Sequence, residues 1–186
     1  AREFDELRMP LEDDPSRSPF RIYRDLRFSK DKSPYKTHQG ADFPWNDSRG
    51  DAGRPRGAVG GYFHLEPGNI FVGGGMWHPE RARLAAFREK LDRDPSAVFR
   101  AIEDERFASI FGSVTGESLT RNPKGFPPGH PYSNLLRLKD VVFSRPLADR
   151  DVFSAELPKL IAHDLNAARP VLMFLDKLAG TPAHMT

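Results

Sequence analysis

From Phe20 onward the chain alternates, with Phe20, Ile22, Leu26 and Phe28 on one side and Arg21, Tyr23, Asp25 and Arg27 on the other. That is the period of a half-buried strand. Arg24 breaks it by falling on the apolar side, where a guanidinium must find an acceptor. Ser29 to Pro34 ends the strand, and residues 39–60, rich in Gly, Asp, Arg and Pro, predict a long exposed connection anchored only by Trp45. The clearest hairpin follows: Tyr62-Phe63-His64-Leu65, the turn Glu66-Pro67-Gly68-Asn69, then Ile70-Phe71-Val72. If Leu65 faces Ile70, then Phe63 faces Val72 on one apolar face, while Tyr62 and His64 share the other with Phe71 and Gly73.

After Gly73-Gly74-Gly75 the period becomes helical, with Pro79 suited to a first turn and Leu84, Phe87 and Leu91 at helical spacing. A second helix starting at Asp94-Pro95 carries Val98, Phe99 and Ile102, and a third carries Phe107, Ile110 and Phe111, with Gly112 and Gly116 closing the stretch. Arg121 to Gly129 reads as loop, Tyr132 to Leu138 as a short helix and Val141 to Phe143 as a strand. A last helix runs from about Ser154 through Leu165, is interrupted near Pro170 and resumes to Leu178, with Gly180 as its cap.

The pattern predicts an α+β fold: an antiparallel or mixed sheet containing a central hairpin, packed against several helices including a C-terminal one. Residues 1–19 form a lead-in with a short helical turn around Phe4, Leu7 and Leu11. Residues 20–180 form a single α+β domain, and 181–186 a flexible tail. The 186-residue length suits one domain, and 14 Phe point to an aromatic core. With no cysteine there is no disulfide framework, thiol nucleophile or thiolate metal site. No apolar run is long enough to span a bilayer and residues 1–10 lack a signal peptide's apolar centre, so the expectation is a soluble cytoplasmic protein without a membrane partner.

Charge changes the picture locally. The net charge is +2, yet Arg21 to His38 alone carries six cations (Arg21, Arg24, Arg27, Lys30, Lys32, Lys36) against Asp25 and Asp31, an excess of +4 in 18 residues. Interleaved with Tyr23, Phe28 and Tyr35, such a cluster suits phosphate-bearing ligands, because guanidinium forks match oxyanions and aromatic rings stack on bases. A solvated, lysine-protected strand edge, with Arg24 held by Asp25 or another carboxylate, is the better account of Lys30, Lys32 and Lys36 alone, but Arg24 on the apolar side tips the segment towards function.

The string Ile22-Tyr23-Arg24-Asp25-Leu26-Arg27-Phe28-Ser29-Lys30-Asp31-Lys32-Ser33-Pro34-Tyr35-Lys36-Thr37 closely resembles the hallmark of the uncharacterised family known as domain of unknown function 2461. Gly61-Tyr62-Phe63-His64-Leu65-Glu66-Pro67, Gly73-Gly74-Gly75-Met76-Trp77 and Arg121-Asn122-Pro123-Lys124-Gly125-Phe126 are similar to its other signatures and stand in the expected order. The resemblance spans about Phe20 to Leu178. It implies no activity, cofactor or catalytic residue. It does imply that the charged start is a remnant of a longer, helical N-terminal segment usual in the family.

The glycine run, read as strand, three glycines and helix, is a geometry in which backbone N–H groups can hold an oxyanion, and Arg81 and Arg83 lie in the first turn. No Lys-Ser or Lys-Thr pair follows, and close approach of another backbone or of Trp77 explains the glycines too. The six histidines show no metal-ligand spacing, so no metal and no cofactor are expected. His64, beside Tyr62 and with Asp25 on a neighbouring strand, could form an acid-base group, although such a histidine is more often structural. No Gly-x-Ser-x-Gly elbow is present.

The candidate ligand-binding residues are therefore Arg24, Arg27, Lys32, Tyr35, Lys36, Gly74, Gly75, Trp77, Arg121 and Lys124, with Asp25 and His64 as the candidates for proton transfer. The leading expectation is a small anionic ligand, bound by a protein whose status as an enzyme and whose oligomeric state the residues leave open. A nucleic-acid module using the basic segment with Arg49, Arg54 and Arg56 is the alternative, and a structural or protein-interaction domain is the third reading.

Overall fold

A computed structural model describes residues 2–11, 18–20, 35–45 and 59–178. Four strands, β1 (Gln39–Pro44), β2 (Val59–Glu66), β3 (Asn69–Met76) and β4 (Val141–Pro146), form one antiparallel sheet in the order β1-β2-β3-β4. The β2–β3 hairpin has the expected register, Leu65 opposite Ile70 and Phe63 opposite Val72, with Tyr62 opposite Gly73 and His64 opposite Phe71. Gly68, at φ +75, supplies the left-handed residue that the tight turn needs.

Two expectations about this sheet are corrected. Residues 39–44 are not part of an exposed connection but a strand, pairing Gly40 with His64 and Asp42 with Tyr62. Gly, Asp and Pro are poor strand residues, and here tertiary pairing overrides propensity. Pro44 is tolerated because β1 is the outermost of the described strands. Trp45 is buried, and its N–H donates to the Val59 carbonyl. The strand Phe20 to Phe28 falls almost wholly on residues outside the described ones.

The second correction concerns the glycines, which do not separate strand from helix. Gly73, Gly74 and Gly75 lie inside β3, paired with β2 on one side and with Ser144, Phe143 and Val142 on the other. A Cβ at Gly75 would collide with the Val141 carbonyl oxygen, and one at Gly74 would sit 2.5 Å from that of Gly60. The run lets neighbouring backbones approach more closely than any side chain allows.

Helix α1 (Arg2–Glu6) lies within the lead-in, where Phe4, Met9 and Leu11 join the core and Phe4 meets the Phe43 ring edge-on at 5.2 Å. Helix α2 (Arg81–Arg93) buries Phe87 and Leu91, and Pro79 lies ahead of its N-cap Glu80 instead of in its first turn. Asp94 caps α3 (Pro95–Ile102) by accepting from the Ala97 N–H, with Pro95 at the first position, where a missing N–H costs nothing. Asp104 caps α4 (Glu105–Phe111), which ends at Gly112 with φ +74. Then come α5 (Ser133–Leu136), α6 (Asp149–Val152), α7 (Leu157–Ala167) and α8 (Arg169–Lys177). The break between the last two falls at Ala168, with Pro170 in the first turn of α8, where it suits a helix start. The proposed cap Gly180 lies outside the described residues.

The helices stand on the face that carries Gly61, Val72, Met76, Phe143 and Arg145. Leu165 of α7 occupies the space that a side chain at Gly61 would fill. Phe107 and Phe111 of α4 pack on Phe143 with ring centroids 5.2 and 4.7 Å apart. Arg145 donates through Nε (2.9 Å) and Nη2 to the buried Asp164 of α7. The architecture is α+β, with helices layered on one side of an antiparallel sheet. Among the described residues no helix is long and apolar enough to cross a membrane.

Candidate functional site

Alternation along β2 sends Tyr62, His64 and Glu66 to the sheet face opposite the helices. Gly40 on β1 pairs with His64 and leaves room for the Tyr62 phenol, whose oxygen lies 2.6 Å from where a Gly40 Cβ would be. The phenol is thereby directed to His64, 3.1 Å from Nδ1. The other ring nitrogen, Nε2, lies 3.5 Å from a Glu66 carboxylate oxygen.

The imidazole is held on both sides. Phe71 stacks on it at 4.8 Å with planes 16° apart, and His38 at 5.1 Å and 25°. Its side chain is 12% exposed. Glu66 is fixed in turn, accepting from the Thr37 hydroxyl (3.1 Å) and the Asn69 amide (3.3 Å). With the carboxylate taking the Nε2 proton, Nδ1 is left to accept from the phenol.

These surroundings set the protonation states. Burial, and then the neighbouring Asp42 carboxylate, push the Tyr62 phenol above its ordinary value, so it stays a protonated donor. Glu66 is held below the usual carboxylate range by its hydrogen bonds from Asn69, His64 and Thr37, so it stays an anion. The chain Glu66–His64–Tyr62 therefore joins a fixed charge, an imidazole and a retained proton in one line.

Both flanks of the basic segment meet this cluster. On its N-terminal side, Phe20 donates its N–H to the Gly40 carbonyl (2.8 Å), accepts from the Gln39 side chain at 2.6 Å, and sets its ring edge to Tyr62 at 6.1 Å. On its C-terminal side, the Lys36 ammonium lies 5.8 Å from the centroid of the same Phe20 ring.

Of the residues singled out from sequence, His64 and Lys36 are brought into this neighbourhood, and Tyr35 is exposed beside it in sequence. Arg24, Asp25, Arg27 and Lys32 lie outside the described residues. Gly74 and Gly75 are central-strand residues, where close approach of the neighbouring backbones, the other reading of the run, accounts for them. Trp77 stands past the end of β3, 67% exposed. Arg121 and Lys124 are exposed on a loop pinned elsewhere. Asn122 donates to the Pro127 carbonyl (2.6 Å) and to the Ser133 hydroxyl (2.9 Å), and His130 Nε2 lies 3.0 Å from Asp92 near the C-terminal end of α2. Trp77 precedes that helix, whereas His130 meets it near its C-terminal end.

Sequence reasoning missed Gly40, Asp42 and Glu66. The first two belong to a strand that was read as a connection. Glu66 was assigned only to the turn, although its two-residue spacing from His64 was the available signal. Among the described residues no group of three or more metal-ligating side chains is placed to hold an ion.

The sequence model of the conserved hypothetical protein (DUF2461) family matches residues 2–174 of the chain. No curated protein and no solved structure matches it significantly.

Proposed function

The chain belongs to this conserved hypothetical protein family, and we propose that it binds a small phosphate-bearing anion on the sheet face around Tyr62, where Tyr62, His64 and Glu66 handle a proton. The observation that carries the reading is the Glu66–His64–Tyr62 chain itself, with an imidazole clamped between two rings and joined at both nitrogens. When His64 is neutral, the phenol proton points to Nδ1. When His64 gains a proton, both nitrogens become donors and the phenol hydrogen is released towards a ligand oxygen. Binding an anion and taking up a proton are then one event, the arrangement an acid catalyst of phosphoryl or acyl chemistry requires.

The cations for the ligand come from Lys36 and from Arg24, Arg27 and Lys32. These three enter by charge alone, as members of a segment whose two flanks are tied beside Tyr62.

Calorimetric titration with inorganic phosphate at low salt, repeated in buffers of different ionisation enthalpy, tests this. Binding should be accompanied by proton uptake in the wild type and by much less in Tyr62→Phe and His64→Gln. Arg24→Ala and Lys36→Met should weaken affinity without a comparable loss of melting temperature. Absence of phosphate binding at millimolar concentration, or a large stability loss in Arg24→Ala, would return the cluster to a purely structural role. A tighter, steeply salt-dependent affinity for single-stranded oligonucleotide would favour the nucleic-acid reading instead.

A further inference from the structure

A second cluster of unusual side chains sits beyond the end of β3, independent of the site around Tyr62. His78 has φ +48, a left-handed conformation that costs a side chain with a Cβ and that Gly or Asn would adopt more easily. Pro79 follows it, which restricts its backbone further. What holds it is Asp140, 3% exposed, whose Oδ1 accepts the His78 N–H at 2.6 Å and lies 3.2 Å from His78 Nδ1. A buried carboxylate thus fixes both the backbone and the ring, and it directs Nε2 away from itself on a side chain that is 60% exposed.

The indole of Trp77 stacks on this ring, with centroids 4.1 Å apart and planes 27° apart, while remaining 67% exposed. A turn that only had to connect strand to helix would need neither a strained histidine nor an exposed indole. Backbone strain maintained by a buried partner is a property of sites where orientation matters. The indole and imidazole together offer a largely exposed π surface bordered by hydrogen-bonding ring nitrogens, and sequence-tolerant stacking on such a surface is how nucleobases are held.

We infer that Trp77 and His78, with Asp140 as the positioning residue, form a second binding site, which takes a planar heteroaromatic ring of the nucleobase kind. The ring stacks on Trp77 and hydrogen-bonds to His78 Nε2. His64 is paired with Phe71, six residues before Trp77 on β3, so the two sites are up to about 20 Å apart by strand rise.

Adenosine, which carries no phosphate, is the probe that separates this site from the anion site. Trp45 is 3% exposed, so Trp77 dominates any ligand-dependent quenching of the two tryptophans. Adenosine should quench emission saturably. By ligand-observed NMR, Trp77→Leu should weaken its binding about 5- to 150-fold, the range expected for losing one stacking partner. His78→Asn suits the left-handed backbone and keeps the tryptophan, and it should weaken binding without lowering the melting temperature. Linear, non-saturating quenching would overturn the inference, as would adenosine binding unchanged in Trp77→Leu. Failure of phosphate to bind would leave it standing.

Discussion

Alanine substitutions at three glycines separate the two physical reasons a glycine can be required, and so test whether the triple-glycine motif builds the sheet. Gly68 has φ +75 and nothing near its missing Cβ, so Gly68→Ala should cost only the left-handed penalty, about 1 kcal/mol after the unfolded chain's lost freedom is credited. Gly73 lacks a positive φ, but a Cβ there would strike the Phe143 carbonyl oxygen and crowd Ser144. Backbone in a paired ladder cannot swing aside as a side chain can, so Gly73→Ala should cost about 1–3 kcal/mol as overpacking. Gly75 combines φ +116 with a collision against Val141 and should cost about 2–4 kcal/mol. That is a large share of the roughly 5–15 kcal/mol that holds a domain folded. Urea denaturation of the three variants gives the order Gly68, Gly73, Gly75. If Gly75→Ala is no more destabilising than Gly68→Ala, the strands do not approach so closely, and the motif's glycines become available again for a ligand.

Two further perturbations test the helix layer. Among the described residues, Arg145→Met leaves the buried Asp164 side chain with only the contact to His163 Nδ1 at 3.5 Å and should cost about 3 kcal/mol, whereas Arg145→Met/Asp164→Leu should recover most of the loss in a double-mutant cycle; additive losses would refute the pairing. The Asp94 carboxyl, lowered from 3.8 to about 2 by the Lys90 ammonium first and then by Ser96 and the Ala97 N–H, contributes stability above its ordinary value and loses it as pH falls through about 2. The melting-temperature gap between wild type and Asp94→Asn, which keeps a capping oxygen, should be full near neutrality and close between 3.8 and about 2; a gap indifferent to acid would show that the charge does nothing.

The legible parts of the fold were those where local chemistry and tertiary packing agree. Asp94-Pro95 states a helix start by cap and fixed φ, and Gly112 states an end. The Pro67-Gly68 turn fixes the hairpin register, and with it every facing pair. β1 was illegible because its pairing partner does the work: Gly40, Asp42 and Pro44 argue against a strand until β2 is beside them. β3 was cut short for the opposite reason. Three glycines normally punctuate an element, and only the closeness of β2 and β4 explains why they continue one. Tyr62 and His64 were readable as neighbours from their two-residue spacing. Asp42 and Gly40 could not be added without β1.

Electrostatics divides the work of the proposed anion site between its two parts. Near Tyr62 the described cluster supplies two carboxylates, Asp42 and Glu66, and one ammonium, Lys36. Unaided, it would repel an anion. Residues 21–34, the segment that joins the two flanks, carry five cations and two carboxylates, and the proposed site draws on that net +3 to offset the cluster's −1. Affinity should therefore follow the basic segment and proton exchange should follow the sheet. Arg24→Ala should lower phosphate affinity while leaving proton uptake per ligand bound unchanged, whereas Tyr62→Phe should lower proton uptake and cost affinity no more than the one hydrogen bond the phenol gives the ligand. Calorimetry in two buffers reads both quantities from the same titrations. If one substitution removes both while the protein stays folded, the segment and the chain act as a single catalytic unit, and the division argued from charge is wrong.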